Sequence, residues 1–239
     1  MSGKYFKNWK NKWEVYFVEF ISVFLAVILA FLLNSWRSDH KDEITKNKIL
    51  LEITQGLSKD IADMEGNIKA HKRAIKSCDF WRAILNNKDF DPEKLQDNYI
   101  YTFRDYFILE NKSGYETLQS KGLELIQNDS LRNKIINVYE YDFYSLKMLE
   151  ENYAECQFHE SYFNSFNDII APHFVFSPEN GEIININKPL NLSVEDRNIL
   201  MSYLMKIETN RKFTVAYYSE KMNNINSLRD DIIEVLQYN

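Results

Sequence analysis

The residue with the clearest chemical potential is a carboxyl set inside hydrocarbon-like sequence. Glu19 lies near the start of VYFVEFISVFLAVILAFLL, residues 15–33, where the Tyr16 phenol is the only other ionisable side chain. Ionised and facing lipid, such a group costs several kcal/mol, so it snorkels toward the headgroups, gives up its charge or turns to a partner. Two roles are compatible with that. Glu19 is either a residue at the membrane edge with no further task, or part of a polar site built from several copies or from another subunit. Asn34 closes the run fifteen residues later, about 22 Å along a helix axis and too far to be the partner within one helix. Tyr16, three residues before Glu19, shares its face and can approach it.

Elsewhere the reactive residues are scattered. His40, His71, His159 and His173 are not paired with a second His or Cys at a metal-ligand spacing, except that His159 and Glu160 follow Cys156 by three and four residues. On a helix that spacing places soft and hard ligands on one face, but a fourth ligand is missing, and solvated or packing residues are the expectation. The sequence contains no G-x-S-x-G, P-loop, G-x-G-x-x-G or H-E-x-x-H pattern and no nucleophile with a partnered base. No enzyme, cofactor, metal site or small-molecule substrate is expected. Lys+Arg is 29 against Asp+Glu 35, a net charge of −6 without a compensating basic patch, so nucleic acid is not expected as a partner either.

The elements that position these residues begin with the apolar run itself. Nineteen residues at about 1.5 Å each approach the roughly 30 Å of a bilayer core. Trp13 and Trp36 bracket the run as interface anchors, with Lys10, Lys12 and Arg37 just beyond them. The run is long for a cleaved signal, and FLLNSWRSD lacks a small-x-small cleavage pattern. It reads as an uncleaved signal anchor over residues 15–36, preceded by a basic flank at 1–14 and followed by an extramembrane domain at 37–239. Lys4, Lys7, Lys10 and Lys12 precede the span with Glu14 as the one acid. That places the N-terminus inside, and in a Gram-negative cell the body in the periplasm on the inner membrane.

The body reads as all-α. Every proline falls outside residues 41–86, 130–171 and 194–239, and each of these stretches carries apolar residues at helical spacing. Leu50, Ile53, Leu57, Ile61, Met64, Ile68, Ile75, Cys78 and Leu85 mark the first. Leu131, Ile135, Val138, Leu146, Leu149, Tyr153, Cys156, Phe163 and Ile170 mark the second. Leu200, Leu204, Ile207, Phe213, Tyr217, Met222, Ile225, Leu228, Ile232 and Leu236 mark the third. Three such helices joined antiparallel make an elongated bundle. In that bundle Cys78 and Cys156 are offset by about 27 Å, beyond disulfide reach, and both read as small buried hydrophobes. The many aromatic residues read as core packing. A short helix is expected from Pro92 after capping Asp91, another from Ser113, and a small hairpin around Asn180–Gly181 within 173–187.

Two motifs resemble a family of uncharacterised single-span bacterial membrane proteins, a domain of unknown function. Residues 16–36 match its helix, with Glu19 near the start and Asn34 and Trp36 at the end; Val18 and an alanine, Ala26 or Ala30, stand where the family carries glycine. Residues 113–140, SGYETLQSKGLELIQNDSLRNKIINVYE, resemble its mid-chain segment through Tyr115, Glu116, Leu118, Ser120, Gly122 and Ile126. The resemblance implies a single span followed by a helical domain, and no activity. The expected role is a membrane-anchored scaffold, sensor or accessory subunit that contacts the lipid bilayer and either its own copies or another membrane protein. The alternative is a subunit of an ion- or proton-conducting oligomer that uses Glu19.

Overall fold

The structure, a computed structural model, describes residues 3–238, with side chains from Trp13 onward except Glu14 and Tyr238. The side chains of Lys4, Lys7, Lys10, Lys12 and Glu14 in the basic flank lie outside the described residues. Helices make up 82% of the chain, and the remainder includes one two-stranded sheet. The chain divides into two units, Met1–Ile49 and Leu50–Asn239.

The described residues of the first unit belong to helix α1 (Gly3–Leu85). Residues 15–33 are exposed throughout, apart from half-buried Ile21. The second unit holds the rest of α1, then α2 (Leu95–Phe103), α3 (Ser113–Lys121), α4 (Asp129–Asn137), α5 (Phe143–Asn152), α6 (Asn164–Ile170), strands β1 (Phe174–Phe176) and β2 (Ile183–Ile186), and α7 (Val194–Tyr238). Asn87, in the left-handed region at φ 55°, ends α1: its N–H donates to Ile84 O and that of Lys88 to Ala83 O, which satisfies carbonyls the helix leaves open. Asp91 accepts from Glu93 N at the turn before α2, Asn128 caps α4 through Leu131 N, and Ser193 accepts from Asp196 N at the start of α7. The hairpin pairs Phe174 with Ile186 and Val175 with Asn185, turning through Gly181 at φ 72°. Buried Phe174 and Ile186 fasten it over a core centred on Trp81, whose ring meets Phe166 at 5.2 Å.

The first and third long helices run as the spacing predicts, but the second does not exist as one element. Residues 130–171 form α4, a π-helical turn (Val138–Asp142) and α5, then leave the helix at Tyr153 (φ −87°, ψ 97°) and resume through a second π turn (His159–Phe163) into α6. No proline or glycine causes the break. Polar side chains instead compete for the main chain: Gln157 bonds Glu151 O, Ser161 bonds Ala154 O at 2.6 Å and Tyr162 bonds Glu155 O at 3.1 Å. The new helical turn is capped from afar, because the Asp105 carboxylate accepts from the N–H of Phe158 at 2.7 Å and of His159 at 3.3 Å. The 27 Å offset inferred for the two cysteines assumed an unbroken helix and does not apply. Both are nevertheless free and buried, and burial pushes the Cys78 thiol up to about 12.

Candidate functional site

The residues singled out in the sequence separate into two groups. Glu19 and Asn34 are exposed on α1, and among the described residues neither side chain makes a hydrogen bond within the chain. Ser22, on the same helix, satisfies itself by donating to Val18 O at 2.8 Å. Trp13 and Trp36 are exposed, and the Trp36 ring stacks on His40 at 5.9 Å. The structure brings Tyr115, Leu118 and Gly122 together at α3. Tyr115 lies flat on Tyr139 at 4.5 Å and donates its hydroxyl to Glu140 at 2.9 Å. Leu118 is fully buried, and Gly122 ends the helix at φ 99°, in the left-handed region. Glu116 points to solvent and does not join them. Cys156, His159 and Glu160 do not converge: Cys156 is buried against the Thr214 hydroxyl at 3.6 Å, while His159 is exposed and stacked on Phe163 at 4.6 Å.

The densest polar chemistry of the second unit is in its interior. Along the buried face of α7, Ile207 is followed by Arg211, Thr214, Tyr218 and Lys221 before apolar burial resumes at Ile225. Arg211 is fully buried. It donates to the carbonyls of Thr102 at 3.0 Å and Arg104 at 2.9 Å, and it lies 3.6 Å over the Phe158 ring. Its Nη1 is 2.9 Å from His71 Nδ1 on α1. A guanidinium only donates, so Nδ1 accepts and the imidazole proton sits on Nε2. Burial and the Arg211 charge push His71 down to about 3, which keeps it neutral. Burial pushes Arg211 itself down to about 10, still cationic at neutral pH.

His71 Nε2 is buried without a partner, as is the Tyr106 hydroxyl. Both residues line a cavity of about 10 Å³, together with Asp105, Glu150, Cys156 and Thr214, room for one water. A metal ion at Nε2 would need the proton on Nδ1, where Arg211 leaves no acceptor for it. Nε2 is therefore a donor, neither a ligand nor a base.

Carboxylates hold residues 104–112, which link α2 to α3 without helix or strand. Glu150 on α5 accepts from Ile108 N at 3.2 Å and from the Tyr218 hydroxyl; burial pushes it up to about 8. Asp60 on α1 accepts from the backbone and side-chain amides of Asn111, and burial pushes it up to about 6. Asp63 accepts from Leu109 N at 3.3 Å. Buried Lys221 pairs with buried Asp142 at 3.1 Å in the first π turn. This polar layer ties α1, α5, α7 and the 104–112 segment together by hydrogen bonds that few other arrangements satisfy.

The fold and its exposed run define a helical protein that carries one helix long and apolar enough to cross a membrane. The chain belongs to the Family of unknown function (DUF6090), which matches residues 19–169, from Glu19 to within α6. No curated protein and no solved structure matches the chain.

Proposed function

We propose that this chain is a membrane-anchored helical protein that acts through protein–protein contact, as a scaffold, sensor or accessory subunit, with no reaction of its own. Its body belongs on the periplasmic side of a bacterial inner membrane. One observation carries the reading: residues 15–33 are apolar apart from Glu19, Ser22 and the Tyr16 hydroxyl, and all but half-buried Ile21 are exposed. A water-soluble protein of this size rarely exposes so large a contiguous apolar surface. The anchoring half is tested by washing membranes from expressing cells with alkaline carbonate. The full chain is expected in the pellet and a chain lacking residues 15–33 in the supernatant; extraction of the full chain overturns the reading. The partner half is tested by purifying the tagged chain from native membranes in mild detergent. A stoichiometric companion protein that remains bound is expected, and turnover of a small molecule by the isolated chain would replace contact with catalysis.

A further inference from the structure

Residues 15–34 are segregated around the α1 axis. At about 100° per residue, every small or polar side chain of the stretch (Tyr16, Glu19, Ser22, Ala26, Ala30 and Asn34) falls within a sector of about 120°. Val15, Val23 and Leu33 take the remaining places in it. The four phenylalanines, Phe17, Phe20, Phe24 and Phe31, all lie on the far side. In a bilayer the phenylalanine face suits lipid. The other face presents a carboxylate and an amide whose side chains have no hydrogen-bond partner among the described residues, separated by small residues that allow two backbones to approach. The polar site is thus incomplete in a single chain.

We propose that two copies pair in parallel through this face, which deepens the membrane-anchored reading and rests on it. Copies inserted by one route share an orientation, so each polar residue meets its own counterpart at the same depth. An amide both donates and accepts, so Asn34 complements Asn34. A carboxylate only accepts, and the Tyr16 hydroxyl of the neighbouring chain, one turn away on the same face, supplies the donor for Glu19. Ser22 already bonds Val18 O, so it serves by its size. Arg37, Lys41 and Lys48 continue the sector beyond the run, where water and salt screen the like charges that two copies bring together.

The test uses the full chain in its native membranes, with single cysteines at Ala26→Cys, Ala30→Cys, Phe24→Cys and Phe31→Cys, oxidised with copper phenanthroline. The native thiols are buried and contribute little background. A product of twice the chain mass is expected from the Ala26 and Ala30 variants, several-fold above the Phe24 and Phe31 variants. Adding Glu19→Leu to Ala30→Cys is expected to lower the yield several-fold, while Glu19→Gln, which keeps an acceptor, retains it. Equal yields from both faces, or no product from Ala26 and Ala30, overturns the pairing. A product whose mass is not twice the chain assigns the face to a different protein and also overturns it. Carbonate washing of the same membranes separates the two readings: a chain that stays in the pellet without the face-specific pattern defeats only the pairing, and a chain that washes off defeats both.

Discussion

Arg211 is a cation in the interior with no carboxylate at ion-pair distance among the described residues, so two main-chain carbonyls, an imidazole and an aromatic face carry its stabilisation. Removing it strands Thr102 O, Arg104 O and His71 Nδ1 together. Arg211→Ala is therefore expected to cost about 3–5 kcal/mol in urea unfolding of the chain in detergent. Arg211→Lys should recover little of that, because a single ammonium cannot span three separated acceptors. Glu150 sets the pH response. Its folded value, about 8, stands above the ordinary 4.5, so the stability it contributes is fully present below pH 4.5 and is lost as pH rises through about 8. Asp60, raised from 3.8 to about 6, acts with the same sign at lower pH. His71, lowered from 6.5 to about 3, acts with the opposite sign: its contribution is present above pH 6.5 and lost as pH falls through about 3. Between pH 6.5 and 8 Glu150 dominates, and stability should fall with rising pH by no more than about 1.4 kcal/mol per pH unit. Melting temperatures across that window should be flat in Glu150→Gln, and a slope that persists in the variant would assign the effect elsewhere.

At the scale of the elements, α3 meets α1 through a missing side chain. A Cβ on Gly114 would stand 2.8 Å from both Ile53 N and Ile53 Cγ1, backbone that cannot give way within a helix. Gly114→Ala is expected to destabilise by about 1–3 kcal/mol; Gly66→Ala, where a Cβ meets nothing within 4 Å, should be neutral or mildly stabilising. Paired denaturation curves in the same detergent decide this, and equal midpoints would show that the contact yields. The first and third long helices, the Asp91 cap and the hairpin were legible in the sequence because apolar spacing, a capping Asp before Pro92 and Asn180–Gly181 are local signals. The polar layer was not, because a stripe drawn through apolar residues alone passes over it. Residues 207, 211, 214, 218, 221 and 225 keep helical spacing throughout, yet the reading placed Phe213, Tyr217 and Met222 on that face, and Phe213 is 48% exposed. Extending the period through polar residues would have found Arg211 and Tyr218, and on α1 His71. The break at Tyr153 was only partly local: Gln157, Ser161 and Tyr162 bond carbonyls six to seven residues away, but Asp105, which caps the turn that follows, lies 53 residues before Phe158.

At the scale of the whole molecule, the quantity that decides the proposed membrane-anchored reading is the side of the membrane on which the body would reside. A short flank with four lysines and one acid resists translocation, whereas a following domain of 203 residues (37–239) is long enough for its own charges to weigh little. Both considerations support the proposed placement of the C-terminus outside the cytoplasm. The interior provides a clean assay for this, because Cys78 and Cys156 are buried and burial raises both thiols, so neither supplies the thiolate that maleimides attack. A cysteine placed at exposed Gln237 is then the reactive thiol of the folded body. Intact cells with a permeabilised outer membrane and an impermeant maleimide are expected to label Gln237→Cys as fully as lysed cells do, while the parent chain stays unlabelled until it is denatured. Labelling that appears only after the inner membrane is broken would reverse the orientation. It would leave α1 as the anchor but make its positive flank the translocated end, contrary to the charge rule that assigned it.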